Sequence, residues 1–519
     1  MNLLRAFATV GGLTMISRVL GFVRDILIAA VLGTGPVADA FFVAFKFPNL
    51  FRRLFAEGAF NSAFVPLFAR RLEGEGEASA RRFAEEALSG LVTVLIVFTG
   101  LAQLSMPVLM YAIAPGFADT PDKFEMAVLF TQIAFPYLLF MSLVALFSGL
   151  LNALGKFAAA AFAPVLLNVV LIATLTMAAP YFDNPGLALV WGVAAAGAAQ
   201  FLMLVAAASR AGYPLRLRAP RLTPGVRRLV TLGIPGVIAG GITQINLLVG
   251  TIIASLQDGA VSWLYYADRI YQLPLGVIGI AIGIVLLPDL ARRLRAGERG
   301  GALWSQNRAF EFSMLLTLPA AAALLAIPGP IVATLFERGA FDAADTEATM
   351  QALAAFALGL PAFVLIKVFS PGFFAREDTK TPMYFAGAGI AVNIAGSLVL
   401  FWQIGFVGIA LATSASAWLN AGLLWSRLRA RGDFAMDARL VTRLPLIVIA
   451  SAVMGAALWA AAAHALPFAE ALMPGGWTQQ ALSIVALAVL VAGGMALYAG
   501  LCQITGAARL SDLRQAMRR

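Results

Sequence analysis

Apolar runs long enough to cross a bilayer follow one another along this chain, separated mostly by short basic connectors. A spanning helix needs about 20 apolar residues. On that rule there are 14 candidate spans, near 9–33, 37–68, 84–110, 125–152, 158–180, 186–208, 229–255, 261–288, 309–328, 350–374, 382–403, 406–426, 444–463 and 480–504. Only helices and closed barrels satisfy their backbone inside lipid, and these runs are too long and continuous for barrel strands. The expected fold is therefore an all-α polytopic membrane protein. Composition agrees: 61% of the 519 residues are hydrophobic and 12% are charged, against about half and a quarter in soluble domains. An ordinary soluble enzyme, a disordered chain and a fibre are excluded.

The formal charge of +10 would suggest nucleic acid in a soluble protein. Its distribution says otherwise. Connectors taken alternately from the N-terminus hold 28 Lys and Arg; the opposite set holds 2, Lys123 and Arg338. This positive-inside asymmetry predicts both termini in the cytoplasm and no nucleic-acid partner. The first 33 residues contain Arg18, Arg24 and Asp25, so they read as a retained helix rather than a cleaved signal. The single Cys502 and single His464 exclude an intrachain disulfide and a thiolate cluster, and predict no metal or cofactor.

Seven basic residues fall within predicted spans: Arg18, Arg24, Lys46, Arg52, Arg53, Arg269 and Lys367. Asp25, Asp39, Glu57 and Asp268 join them. Each charge at a helix centre costs about 2.5–3.5 kcal/mol on insertion scales. Some can snorkel or pair, as Arg53 with Glu57 or Asp268 with Arg269. Pairing all four acids still leaves a net positive interior, which calls for an anion or water.

The chain also repeats itself. Pro66-Leu-Phe-Ala-Arg-Arg-Leu72 recurs as Pro288-Asp-Leu-Ala-Arg-Arg-Leu294, and Pro48, Gly116, Asp119, Phe135-Pro136, Lys156 and Asn168 match Pro274, Gly339, Asp342, Leu360-Pro361, Lys380 and Asn393, all at offsets of 222–226. Each unit holds six spans, an even number, so the two copies run in parallel. That is a transporter pattern with the substrate between halves. The expected organisation is an N-lobe at 1–215, a C-lobe at 226–430, a pair of added helices at 440–505 and a cytoplasmic tail at 506–519, with 209–228 as the linker.

Polar stripes mark the expected site. The first span carries Arg18 and Asp25 on one face with Arg24 beside it. The second carries Asp39, Lys46, Asn49, Arg52, Arg53 and Glu57, and the eighth carries Ser262, Tyr266, Arg269 and Gln272. A polar stripe through a span lines a cavity rather than lipid, so a central cationic cavity is expected. Guanidinium groups form paired bonds with phosphate and stay charged. A phosphate or pyrophosphate ligand follows, with an acidic sugar or a carboxylate drug as alternatives. Gly233, Pro235, Gly236, Gly240 and Gly241 in the seventh span suit close packing or hinging.

Several stretches resemble one family closely. They are Ser17-Arg-Val-Leu-Gly-Phe-Val-Arg-Asp25, Asp39-Ala-Phe-Phe-Val-Ala-Phe-Lys-Phe-Pro-Asn49, Phe55-Ala-Glu-Gly-Ala-Phe60, Ser262-Trp-Leu-Tyr-Tyr-Ala-Asp-Arg269 and Pro371-Gly-Phe-Phe-Ala-Arg-Glu-Asp-Thr-Lys-Thr-Pro382. Together they resemble the MurJ (MviN) lipid II flippases of the multidrug/oligosaccharidyl-lipid/polysaccharide exporter superfamily, over essentially the whole chain. The resemblance implies 14 transmembrane helices: two parallel six-helix repeats around a cationic cavity, plus two C-terminal helices whose groove takes the undecaprenyl tail. It implies a monomeric bacterial inner-membrane transporter, not an enzyme, that moves lipid II from the cytoplasmic to the periplasmic leaflet by alternating access among membrane lipids. It assigns substrate binding to Arg18, Arg24, Asp39, Arg52 and Arg269, with Asp25, Glu57, Ser262 and Asn49 beside them. Gln272 stands where some relatives have an acid. Gln244, Asn246, Asn393 and Ser397 offer no carboxylate for the sodium site of other relatives, which leaves the membrane potential as a candidate driving force. An exporter of another lipid-linked oligosaccharide or of drugs, and a polyprenyl-phosphate-processing enzyme, are the competing readings.

Overall fold

The computed structural model describes residues 3–52, 60–471 and 477–508. Arg53 and Glu57 lie outside the described residues. Among those described, the regular elements are helical, and the one extended pairing is an isolated bridge between Arg338 and Phe341. Ten helical segments are long and apolar enough to cross a membrane: Glu77–Leu104, Pro121–Ala153, Phe157–Tyr181, Pro185–Arg210, Arg299–Ala326, Ala343–Phe374, Lys380–Ile404, Val407–Ala430, Ala438–His464 and Ala481–Thr505. They match ten of the expected spans. The first, second, seventh and eighth spans fall on Leu3–Leu32, Pro36–Arg52 with Asn61–Gly74, Pro224–Ala254 and Ala260–Arg295. These four spans carry all the intramembrane charges the sequence names except Lys367, and the glycine-rich stretch of the seventh.

By packing, the chain forms two compact units: Met1–Ser262 with Arg338–Phe341, and Trp263–Glu337 with Asp342–Arg519. In the first unit, Leu3–Leu32 lies along Phe157–Ala173, Pro36–Arg52 along Pro121–Ala134, and Tyr137–Ala153 along Pro185–Arg210. The segment Pro121–Ala153 is 72% buried over its most apolar window, and it carries the centre of this core. Phe47, Phe51, Phe98 and Phe135 interlock there through tilted and edge-on rings. Such contacts add to the burial of large apolar surfaces.

The linker does not hang free. Tyr213 Oη donates to Glu77, the Arg216 amide donates to Glu85 and the Arg218 amide to Ser89. Arg218 Nε pairs with the buried Glu85, and Thr223 Oγ1 donates to Glu86 at 2.8 Å. This strap along Glu77–Leu104 delivers Pro224–Ala254 into the first unit. The repeat boundary near 225 and the packing boundary at Ser262 therefore measure different things: one is ancestry of sequence, the other is contact. Burial and the Glu77 carboxylate push the Tyr213 phenol above its usual range.

In the second unit, Ala343–Phe374 is likewise 72% buried and stands at the repeat position of Pro121–Ala153. Phe310, Phe369 and Phe434 meet within its core. The helix Ala438–Ala471 is fastened to Arg299–Ala326 by Glu311, which accepts from Arg308, Arg439 and Arg443. Tyr498 Oη donates to the Leu315 carbonyl at 2.7 Å and draws in Trp477–Thr505. Few residues of Ala481–Thr505 are fully buried, which leaves much of its apolar surface for lipid.

Candidate functional site

Adjacent charges on Leu3–Leu32 meet different fates. Arg24 and Asp25 are both buried, and Arg24 donates to Asp25 Oδ1 from Nη2 at 2.7 Å and from Nε at 3.1 Å. Its Nη1 donates to Asn168 Oδ1 at 2.8 Å. Asn168 Nδ2 in turn donates to the Ser17 carbonyl at 2.9 Å. Phe45 lies under the guanidinium at 5.9 Å. The sequence leaves Arg24 facing a cavity as a free cation; here it is a neutralised, positioned group. Breaking such a buried pair by removing one partner costs about 3–5 kcal/mol. Arg18, two turns earlier, is exposed and faces no carboxylate among the described residues.

Asp39 is fully buried and its carboxylate is saturated. Oδ2 accepts from Lys123 Nζ at 2.9 Å and from the Gly259 amide at 2.9 Å. Oδ1 accepts from the Ser262 amide at 3.0 Å and from Ser262 Oγ at 2.6 Å. Gly259 and Ser262 bracket the start of the helix Ala260–Arg295. Asp39 thus caps that helix from 220 residues away, where an anion answers the unpaired amides and the dipole. Lys123 also donates to Asp258 Oδ1 at 2.7 Å and sits 4.3 Å from the centre of the Phe117 ring. Asp39 and Ser262 are 223 residues apart, which is the repeat offset itself. They are equivalent positions of the two copies, meeting each other.

Two glycine seats flank this latch. Gly116 donates its amide to Ser255 Oγ at 3.3 Å, and a Cβ there would overlap the Ser255 carbonyl. Gly339, at φ +61°, sits on the end of Leu3–Leu32, and a Cβ there would overlap the Ala30 carbonyl. The Ala340 amide donates to that same carbonyl at 2.8 Å. Gly116 and Gly339 match at an offset of 223. In each case, a turn from one repeat docks on the end of the other repeat's first helix.

The remaining candidates are placed as follows. Asn49 Nδ2 donates to the Phe45 carbonyl at 2.7 Å, and its Oδ1 accepts from Arg52 Nε at 3.0 Å; both residues are half-buried. Arg269, in the second unit, lies over the Tyr265 ring at 4.6 Å, and Gln272 donates to Asp268. Glu57 lies outside the described residues. Asn393 and Ser397 are buried, with Asn393 Oδ1 accepting from Thr413 at 3.2 Å. Asp342 and Asp345 form a reciprocal capping box at the start of Ala343–Ala357, a structural use of acids.

A sequence profile for the family described as "Lipid II flippase MurJ" matches residues 28–473. The "Probable lipid II flippase MurJ" of Rhizobium meliloti (strain 1021) is 52% identical over 526 residues, covering 100% of this chain and 97% of its own length. The chain belongs to the MurJ family. The solved structure titled "Lipid II flippase MurJ, inward closed conformation" superposes with a TM-score of 0.77 at 23% identity, covering 95% of this chain and 98% of its own. An inward-facing multidrug resistance MATE family transporter of the MOP superfamily superposes at 0.67 and 14% identity, covering 82% of this chain and 98% of its own. At those identities the likeness speaks for the fold alone. Like its family, the chain is a multi-pass inner-membrane protein.

Within this MurJ-family fold, sequence reasoning overlooked three partners. Lys123 is assigned to an outer connector by the charge count; the structure corrects this, burying it to 1% exposure in Pro121–Ala134 as the counter-ion of Asp39. Asp258 shares that lysine from an exposed position. Asn168 was visible only as a repeat marker. No signal in the sequence ties Lys123 or Asp258 to Asp39.

Proposed function

We propose that this protein is a transporter, not an enzyme, that carries lipid II from the cytoplasmic to the periplasmic leaflet by alternating access. The termini and basic connectors face the cytoplasm. The observation that carries the reading is the contrast on one helix: Arg24 is neutralised by Asp25, whereas Arg18 is exposed with no carboxylate among the described residues. A cation kept uncompensated within a span needs an anionic ligand, and a pyrophosphate suits a guanidinium. Arg18 and Arg52, with Arg269 as the third guanidinium of the family pattern, take the pyrophosphate. Arg24, Asp25 and Asn168 hold the first helix in position. The Asp39 latch caps Ala260–Arg295 in the state that is closed to the periplasm, and its release accompanies opening. The undecaprenyl tail stays in lipid along the C-terminal helices, where few residues of Ala481–Thr505 are fully buried. Ligand binding shifts the equilibrium only through unequal affinity for the two states. The membrane potential acts on Arg18 at about 2.3 kcal/mol per charge per 100 mV.

The test is complementation in cells depleted of the native copy. Arg18→Ala, Arg52→Ala and Arg269→Ala should each fail to support growth while the purified variants unfold at the wild-type temperature. Growth supported by all three would remove the proposal.

A further inference from the structure

In the first unit, the helices Asn61–Gly74 and Pro224–Ala254 enclose a groove of about 290 Å³ at the end that carries the basic connectors. Ala63, Pro66, Leu67 and Leu232 form its walls, and Arg70 and Arg228 complete the lining. Both arginines are exposed, and neither meets a carboxylate among the described residues. The surroundings add to their field. Arg228 lies within the first two turns of a helix that starts at Pro224, where partial positive charge gathers. Arg71 stacks on Phe83 at 4.4 Å and its Nη2 lies against Gly225, where a side chain would displace it. Arg227 is exposed on the same turn. Glu73 follows Arg70 by three residues on the same helix and is exposed, and Glu86 is engaged by Thr223 at 2.8 Å and by Arg82 at 3.7 Å. Helix starts ordinarily collect acids; this one collects cations, which makes it a site for an anion supplied from outside the chain.

Size and polarity narrow the anion. The volume equals roughly ten waters at about 30 Å³ each and lies at the lower limit of ligand pockets, about 300 Å³. A disaccharide-peptide headgroup, polar throughout, would leave the apolar walls unmatched. An inorganic phosphate would leave four apolar wall residues facing water. We propose that the groove binds an anionic glycerophospholipid of the leaflet on the basic side, with its phosphate between Arg70 and Arg228 and one acyl chain along Ala63, Leu67 and Leu232. Occupancy bridges Asn61–Gly74 to Pro224–Ala254. It is a lipid site apart from the translocated substrate.

The experiment places a photoreactive p-benzoylphenylalanine at Leu67 in the full-length protein. The protein is reconstituted in phosphatidylcholine vesicles with a minor fraction of radiolabelled phosphatidylglycerol or phosphatidylethanolamine. Phosphatidylglycerol should label more strongly, and Arg70→Gln with Arg228→Gln should cut that labelling about tenfold or more, as the loss of two surface arginine contacts implies. Leu232→Glu, an exposed change that sets an acid in the groove, should do the same and serves if the double variant misfolds. Arg216→Gln with Arg221→Gln, on the linker, should leave it intact, as should excess inorganic phosphate. Equal labelling by the two lipids, or wild-type labelling in both groove variants, overturns the proposal. Loss of labelling with inorganic phosphate makes the groove a free-anion site. Displacement by a polyprenyl pyrophosphate at lower amounts than phosphatidylglycerol makes it a substrate site. Either result overturns the lipid assignment.

Discussion

The two ends of the unit Met1–Ser262 treat charge in opposite ways. At the Asp39 end, one buried carboxylate is spent inside the protein, taking a lysine, two amides and a hydroxyl. At the basic end, Arg70 and Arg228 are exposed beside an apolar groove with no carboxylate facing them among the described residues. Saturated polar groups in a dry setting make a latch, because opening must leave several of them unpaired at once. Unsatisfied cations make a receptor, because a ligand removes the imbalance. Charged side chains therefore close one end and leave the other available to ligands.

Removing the centre of the latch should have the largest effect. Asp39→Ala leaves the Lys123 ammonium buried beside an exposed carboxylate and uncaps Ala260–Arg295. The loss should be about 3–5 kcal/mol, read as a lowered unfolding temperature in detergent. A loss below about 1 kcal/mol would break the comparison, since the Asp39 end would then behave like a surface pair. Gly339→Ala comes next. At φ +61° a side chain costs about 1–2 kcal/mol for the left-handed backbone alone, and the overlap with the Ala30 carbonyl adds to it. The readout is thiol labelling of an Ala340→Cys reporter, which should accelerate as the turn lifts. Asp258→Asn should cost no more than about 1 kcal/mol, because that carboxylate is 79% exposed. Lys123 thus separates a buried partner from an exposed one in a single pair of measurements.

The smallest effect is expected at an exposed clasp in the second unit. The Thr381 amide, then its hydroxyl and Arg431, draw the Asp378 carboxyl down from 3.8 to about 2. A depressed carboxylate stabilises fully above its unfolded value and ceases to do so as pH falls through its folded one. The difference in unfolding temperature between the wild type and Asp378→Asn should therefore be constant above about pH 4 and vanish toward pH 2. A difference that persists unchanged at pH 2 would show that the carboxylate charge is not what the clasp uses.

Much of this was legible in the chain, for identifiable reasons. Spanning helices announce themselves by length and apolarity, and ten of the expected spans return as such helices. Gly116 and Gly339, paired in the sequence by their offset, both take seats that a Cβ would fill. Burial was not readable. Positive-inside counting reports which side a lysine is on, not how deep, so Lys123 looked like loop charge. Pairing was not readable either. Arg18 and Arg24 are the same residue type on one helix, and only the arrival of Asn168 from another helix separates the neutralised one from the exposed one. The helix carrying Asp39 likewise showed a polar stripe without showing that its acid is spent on a cap.

The account turns on lipid II crossing the membrane by way of Arg18, Arg52 and Arg269, and leaflet accessibility of lipid II reports that directly. In cells depleted of the native copy, an outer-leaflet probe should find lipid II when the wild-type chain is expressed and little when Arg18→Ala replaces it, at equal protein levels. Equal probe access with wild type, with Arg18→Ala and with no copy at all would contradict it.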